Sequence, residues 1–323
     1  MREYRGLLGP VFAVVLFLIA MRWSPFEPHR DPVGVIGPTG PRDAVATVTN
    51  AAGAPWADED WNVFESKVRW AAQERLDTLS LGRLMAELGR SFVGTAYIPQ
   101  TLEVEGPERL VINFRGLDCV TFVENMFAMA RFVHEGGAER VEQREAAEAA
   151  YGALLMEVRY RDGRIDGYPS RLHYFADWVA DNDRRGLVSD VTAELGGVLD
   201  TEPVDFMTKH AQAYRQLGDP SNLSAVRSAE ERLTEAGRHF VPQDEIAVVA
   251  SRIRDGDIIA ATSTVEGLDV AHTGLALWVD GTLRLLHAPL VGEAVQISEV
   301  TLAERIRRTE GQDGIIVARP VGR

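Results

Sequence analysis

From Asp58 to His239 the apolar residues recur at intervals of three and four, the spacing that lines one face of an α-helix. The pattern is clearest in DEDWNVFESKVRWAAQERLD from position 58, LGRLMAELGRSFV from 81, a run that begins at Cys119, EQREAAEAAYGALLMEV from 142 and RLHYFADWVADND from 171. After Pro242 the spacing changes. GDIIAA, AHTGLALWV, LRLLHAP, AVQIS and GIIVARP are short β-like runs separated by Gly and Asp. Helices followed by strands predict an α+β body with a largely antiparallel sheet. The charge-rich stretches EQREAAEAA and SAEERLTEAG read as solvated helix faces.

The first residues belong to a different class. Residues 7–21 (LLGPVFAVVLFLIAM) carry no charge and follow Arg2 and Arg5, the charge order of a secretory signal or an amino-terminal membrane anchor. The stretch is shorter than the ~18 to 20 apolar residues of a confident span. No cysteine follows to be lipidated and the cleavage signal is poor, so an uncleaved anchor is expected. Residues 24–55 are rich in Pro, Gly and Ala and read as a tether. The expected organisation is therefore a signal or anchor over 1–23, a linker over 24–55 and a folded domain over 56–323. That domain would lie outside the cytoplasm, in the periplasm or cell envelope, touching membrane only through the amino-terminal segment.

Composition narrows the partners. With 34 Lys+Arg against 48 Asp+Glu the net charge is −14, which argues against nucleic acid as a ligand. The five arginines and four acids of residues 1–55 leave about −15 on the body. A single cysteine among 323 residues excludes an internal disulfide framework and a cysteine-rich zinc site. No nucleotide-binding glycine loop is present, and no cofactor is expected.

That cysteine, Cys119, follows Gly116 and Asp118 and precedes the helical apolar series Val120, Phe122, Val123, Met126 and Phe127. It thus falls at a helix amino terminus, with Asp118 as the N-cap, where exposed N–H groups and the helix dipole favour a thiolate. Cys119 is either a small core residue or a nucleophile, and a matching base decides between them. Of seven histidines only His272 and His287 lie in the strand region. Asp280-Gly281 between them is a two-residue hairpin signal that makes Val279 the partner of Thr282. His287 then faces Gly274, and the two histidines become diagonal neighbours on one face. A loop with an odd number of residues would separate them. Two histidines on one face fit a base, His272, and an orienter, His287, that sets its tautomer. The same pair with Asp269 would serve a zinc ion, although HExxH is absent.

The order DCVTFV, GDIIAA, HTGLALWVDGTLRLLHAP, AVQIS resembles the NlpC-type papain-like peptidases of bacterial cell walls. It is closer still to a bacterial family, domain of unknown function 1460, described as N-acetylmuramoyl-L-alanine amidase-like. The carrying motifs are GTAYIPQTLE (94–103), FRGLDCVTFVEN (114–125), RYRDGRIDGYPSRLHYFADW (159–178) and GLDVAHTG (267–274). The resemblance implies a papain-like fold with a helical amino-terminal half and a nucleophile helix packed on an antiparallel sheet. It implies Cys119 as nucleophile, His272 as base, His287 as the third residue and the Cys119 N–H as an oxyanion donor. Tyr97 either matches a tyrosine that lines the site in the wider group or is a half-buried aromatic with a hydrogen-bonded hydroxyl. Arg171, His173 and Tyr174 would hold a stem-peptide carboxylate and sugar or peptide faces, with Asp269 beside His272 as a further binding residue. Equally, Leu172, Phe175 and Trp178 would form a core stripe that those polar groups decorate. Glu124 either faces the site or pairs with a cation.

The expected activity is hydrolysis of an amide in peptidoglycan or muropeptides through a thioester. The cut falls between MurNAc and L-Ala or inside the stem peptide. Acyl transfer by the same thiol is a second reading, and a catalytically silent, membrane-tethered binding domain a third.

Overall fold

The computed structural model describes residues 48–50 and 56–322, so the expected apolar segment and nearly all of the linker lie outside the described residues. Strand β1 (Val48–Asn50) runs antiparallel to β3 (Leu110–Ile112). The helical part consists chiefly of α1 (Asp58–Gln73), α2 (Leu81–Ser91), α3 (Cys119–His134), α4 (Arg144–Arg159), α5 (Phe175–Arg184) and α6 (Pro220–Ala236). Among the described residues no helix is long and apolar enough to cross a membrane.

Helix α3 is buried on every side from Thr121 to Val133, which explains why apolar residues occur on all its faces. It starts where it does because Asp118 accepts a hydrogen bond from the Thr121 N–H at 2.8 Å while the Thr121 hydroxyl accepts one from the Asp118 N–H at 2.9 Å. This reciprocal cap satisfies two otherwise orphaned donors. Its polar interior positions are matched as well. Arg159 Nε donates to Glu124 at 2.7 Å, with both side chains almost fully buried, and the Tyr151 hydroxyl donates to Asn125 at 2.7 Å. Glu124 is thus the partner of a cation. Trp56, Phe64, Phe132 and Tyr151 pack edge to face, and Phe114 lies tilted against Tyr151.

The sheet has eight strands. Strand β11 (Gln296–Ile297) is followed in space by β10 (Thr282–His287), β9 (Val270–Val279), β8 (Ile258–Ser263), β12 (Gln312–Pro320), β7 (Arg238–Pro242) and β6 (Val198–Asp200), and β5 (Val188–Asp190) also pairs with β12. Every pairing within it is antiparallel. The five strands expected after Pro242 are present. β5, β6 and part of β7 fall in the stretch read as mostly helical; they are three to five residues long, too short for a period of two to emerge.

The two faces of the sheet carry different cores. Leu275, Leu277, Ile258, Leu286 and Ile316 pack against α2 and α3. Ala276, Leu283, Leu285, Ile315 and Val317 pack against a short helix α7 (Ile246–Val249) and α8 (Leu302–Arg308), through Ile246, Leu302 and Ile306.

Candidate active site

Asp280 and Gly281 both take positive φ, 49° and 75°, as a type I′ turn requires, and Thr282 pairs with Val279. The register continues through Leu286 opposite Leu275. His287 then lies against Gly274, where a Cβ would come within 2.9 Å of the His287 Cβ; the glycine leaves room for the imidazole. His272 Nε2 and His287 Nδ1 are 2.7 Å apart, and both rings are buried. The diagonal pairing expected from the turn is present in the structure. The register also has a feature that the sequence did not reveal. Between β8 and β9 the pairs Ala261–His272 and Thr262–Val270 leave Ala271 as an extra residue, a bulge directly before His272 that re-aims the chain there.

The cysteine is tied to the same strand. Thr273 Oγ1 donates to the Cys119 carbonyl at 2.8 Å, fixing the start of α3 beside the residue that follows His272. With Nε2 of His272 engaged by His287, Nδ1 is the ring nitrogen left for a proton from elsewhere. Strand β2 (Ala96–Tyr97) pairs in parallel with β4 (Gly116–Leu117), the two residues before the cap, so Tyr97 stands opposite Leu117. Burial, followed by the Cys119 and Asp118 charges, raises the Tyr97 phenol well above its usual range and keeps it protonated. Tyr97 therefore lies near enough to Cys119 for a charge on the sulfur to act on its phenol.

The electrostatics differ from the expectation of a thiolate made by the helix terminus. Burial, followed by the Asp118 carboxylate, pushes the Cys119 thiol up to about 11, against the opposing pull of the Thr273 N–H, its hydroxyl and the Val120 N–H. Burial lowers His272 to about 3, with the Arg305 charge acting in the same direction. His287 also lies well below its usual value, through burial, His272 and then Arg305. The thiol and both imidazoles are thus neutral at rest. Burial outweighs the pull of the helix terminus, and the cap that starts the helix adds its own negative charge near the sulfur.

Four of the expected binding residues have other work. Arg171 is buried, donates to Glu103 at 2.5 Å and to the Leu102 carbonyl at 3.1 Å, and sits over the Tyr168 ring. His173 Nε2 meets the Tyr168 carbonyl at 2.9 Å, and burial lowers the ring to about 3. The Tyr174 hydroxyl donates to Glu230 at 2.7 Å and accepts from the Met207 N–H at 2.8 Å. Asp269 accepts from the N–H of Ala176 and of Val270, both at 2.7 Å, so it caps α5 from outside; burial raises it to about 6. These residues fasten the segment from Tyr168 to Phe175, as in the alternative reading of that segment. Asp269, the third ligand of the zinc alternative, points to a helix terminus, and among the described residues no group of three or more His, Cys, Asp or Glu is placed to hold a metal ion.

Two residues of this neighbourhood escaped the sequence reading. Thr273 joins the strand to Cys119, and Arg305 places a cation near both histidines and the thiol. HTG flagged the first only as part of a strand. Nothing in LAERIRR separates Arg305 from Arg307 and Arg308, which are exposed.

Residues 87–315 match the model of the AmiA-like family, described as N-acetylmuramoyl-L-alanine amidase-like. The crystal structure of an N-acetylmuramoyl-L-alanine amidase from Bacteroides uniformis is 36% identical, with a TM-score of 0.68, over 75% of this chain and 99% of that one. A Legionella pneumophila protein assigned to DUF1460 is 20% identical, with a TM-score of 0.56, over 81% of this chain and 95% of that one; it bears on the fold alone. No curated protein matches the chain. The family model spans most of the chain, and the amidase from Bacteroides uniformis is covered almost end to end. The chain belongs to the N-acetylmuramoyl-L-alanine amidase-like family of peptidoglycan hydrolases.

Proposed function

We propose that the protein is a cysteine amidohydrolase of papain-like arrangement that cuts the amide between the lactyl group of MurNAc and L-Ala in peptidoglycan. The observation that carries this reading is the His272–His287 contact at 2.7 Å on the strand whose next residue holds the Cys119 carbonyl. For His272 Nδ1 to accept a proton, the ring hydrogen must sit on Nε2, and His287 Nδ1 is positioned to receive that hydrogen bond.

Cys119 Sγ attacks the lactyl carbonyl as its proton passes to His272 Nδ1. Because burial keeps both groups neutral at rest, transfer accompanies attack and no ion pair exists beforehand. The oxyanion forms at the start of α3. There the Cys119 N–H has no acceptor among the described residues and can donate to it. Collapse breaks the C–N bond, the imidazolium returns its proton to the L-Ala nitrogen, and a thioester remains. Water, deprotonated by His272, releases the sugar acid. Tyr97 lines this site.

The protein acts outside the cytoplasm in this reading, held or delivered by residues 1–23, and fractionation of cells carrying the full chain tests the address. The chemistry is tested by mass spectrometry of muropeptides incubated with wild type and Cys119→Ala. Free stem peptide and free sugar from the wild type alone support the amidase. A cut inside the peptide moves the assignment to an endopeptidase, and an acylated amine to a transferase. No product, together with a Cys119 that resists iodoacetamide at every pH, supports the binding domain.

A further inference from the structure

Helix α8 carries a half-buried cation that forms no ion pair among the described residues. Leu302 and Ile306 of α8 pack with Ala276, Leu283 and Leu285. His272 and His287 follow the same alternation as Ala276 and Leu285, and the intervening Thr273 hydroxyl turns to the Cys119 carbonyl, so Arg305 and the start of α3 both approach the His272 end of β9. Arg305, next to Ile306, is half-buried. Its neighbours Arg307 and Arg308 are exposed and pair with Asp244 and Glu304. Among the described residues the Arg305 guanidinium makes a single hydrogen bond, from Nη1 to Thr309 Oγ1 at 2.8 Å, and no carboxylate is within ion-pairing distance. Burial depresses its pKa, and the charges of Glu293 and Cys119 act the other way. A partly desolvated guanidinium without a counter-ion is costly, and the arrival of an anion relieves that cost.

The chemistry of the substrate indicates which anion. The carboxyl of the MurNAc lactyl group is the acyl side of the scissile amide and carries no charge. On the amine side, a stem peptide whose second residue is joined through its γ-carboxyl leaves the α-carboxylate of that residue free, one residue from the bond. We propose that Arg305 binds this α-carboxylate and thereby selects stem peptides with an unamidated second residue. The assignment rests on the amidase reading above. Its planar fork suits a bidentate carboxylate, and the half-buried site makes the contact stronger than on an open surface. The segment first expected to recognise a carboxylate, around Arg171, has its own acids.

The test compares MurNAc-L-Ala-γ-D-Glu with its α-amide as substrates of wild type, Arg305→Gln and Arg305→Lys. Wild type prefers the acid by about 10- to 100-fold in kcat/KM, the range expected of a hydrogen-bonded charge. Arg305→Gln loses this preference while cleaving the amide within about threefold of wild type, and Arg305→Lys keeps part of it. A merely structural arginine would lower both substrates together, which overturns the proposal, as does a preference that survives in Arg305→Gln. If wild type cleaves neither compound, the amidase reading fails. Binding of the acid and the amide to Cys119→Ala and to Cys119→Ala/Arg305→Gln, by calorimetry, then decides this inference: tighter binding of the acid that needs Arg305 supports it, and equal binding overturns it.

Discussion

His287→Ala is the substitution that probes the site most directly. In the wild type His272 Nε2 lies 2.7 Å from His287 Nδ1, and the two rings are only 7% and 3% exposed, so water does not stand in for a lost partner at its place in the sheet. When His272 accepts the thiol proton it becomes an imidazolium, and the contact becomes a hydrogen bond from a charged donor. Such bonds contribute about 1.5–3 kcal/mol, which corresponds to roughly 10- to 150-fold in rate. The loss falls on kcat, because His287 orients the base and KM reports groups that hold the substrate. His287→Asn returns an acceptor oxygen near the Nδ1 position and recovers most of the rate. Steady-state kinetics on a muropeptide, with circular dichroism to show that each variant is folded, make the measurement. A folded His287→Ala enzyme with kcat within threefold of wild type would falsify the assignment of His287 as orienter.

Since burial pushes the Cys119 thiol up to about 11, alkylation by iodoacetamide is expected to rise about tenfold per pH unit from pH 7 to 10; a plateau below pH 8 contradicts this. Asp118→Asn keeps a capping oxygen and removes the negative charge, so it moves the alkylation profile to lower pH, and an unmoved profile shows that the carboxylate does not act on the sulfur. His173, His272 and His287 have folded pKa values below the unfolded 6.5, so the unfolded chain binds more protons and stability falls as pH drops below 6.5, by about 1.4 kcal/mol per pH unit for each ring. Asp269, raised to about 6, and Glu108, Asp118 and Glu124, also raised by burial, oppose this as the pH falls, so the histidine contribution is read as a difference: between pH 7 and 4 the urea midpoint of His173→Asn gains on that of wild type, and parallel profiles contradict the assignment. Arg159→Met strands the buried Glu124 carboxylate at a cost of about 3–5 kcal/mol, and Arg159→Met/Glu124→Leu recovers most of it; thermal melts that rank the double variant below the single one reverse the argument.

The site was legible wherever its geometry follows from local rules. Asp118 is followed by a helical apolar series, and that order alone placed Cys119 at a helix start. Asp280-Gly281 set the hairpin register, and the register brought His272 to His287. The segment around Arg171 was harder. Its polar residues fit a binding surface as well as a scaffold, and the choice rested on Glu103, Glu230 and Met207, far away along the chain. Arg305 could not be singled out because its neighbours in sequence are also arginines, and only the packing of α8 makes it the half-buried one.

By itself, then, the sequence determined the main helices, the five strands after Pro242, the cap on α3, the β9–β10 register and the nearness of two histidines. These depend on backbone periods of 3.6 and 2 and on turn chemistry, which act over a few residues. The tertiary structure alone decided which polar groups neutralise one another, the bulge at Ala271, the charge state of Cys119 and the unanswered cation at Arg305. Those outcomes depend on burial and on long-range partners, and desolvation weighs a charge only once the chain has closed around it.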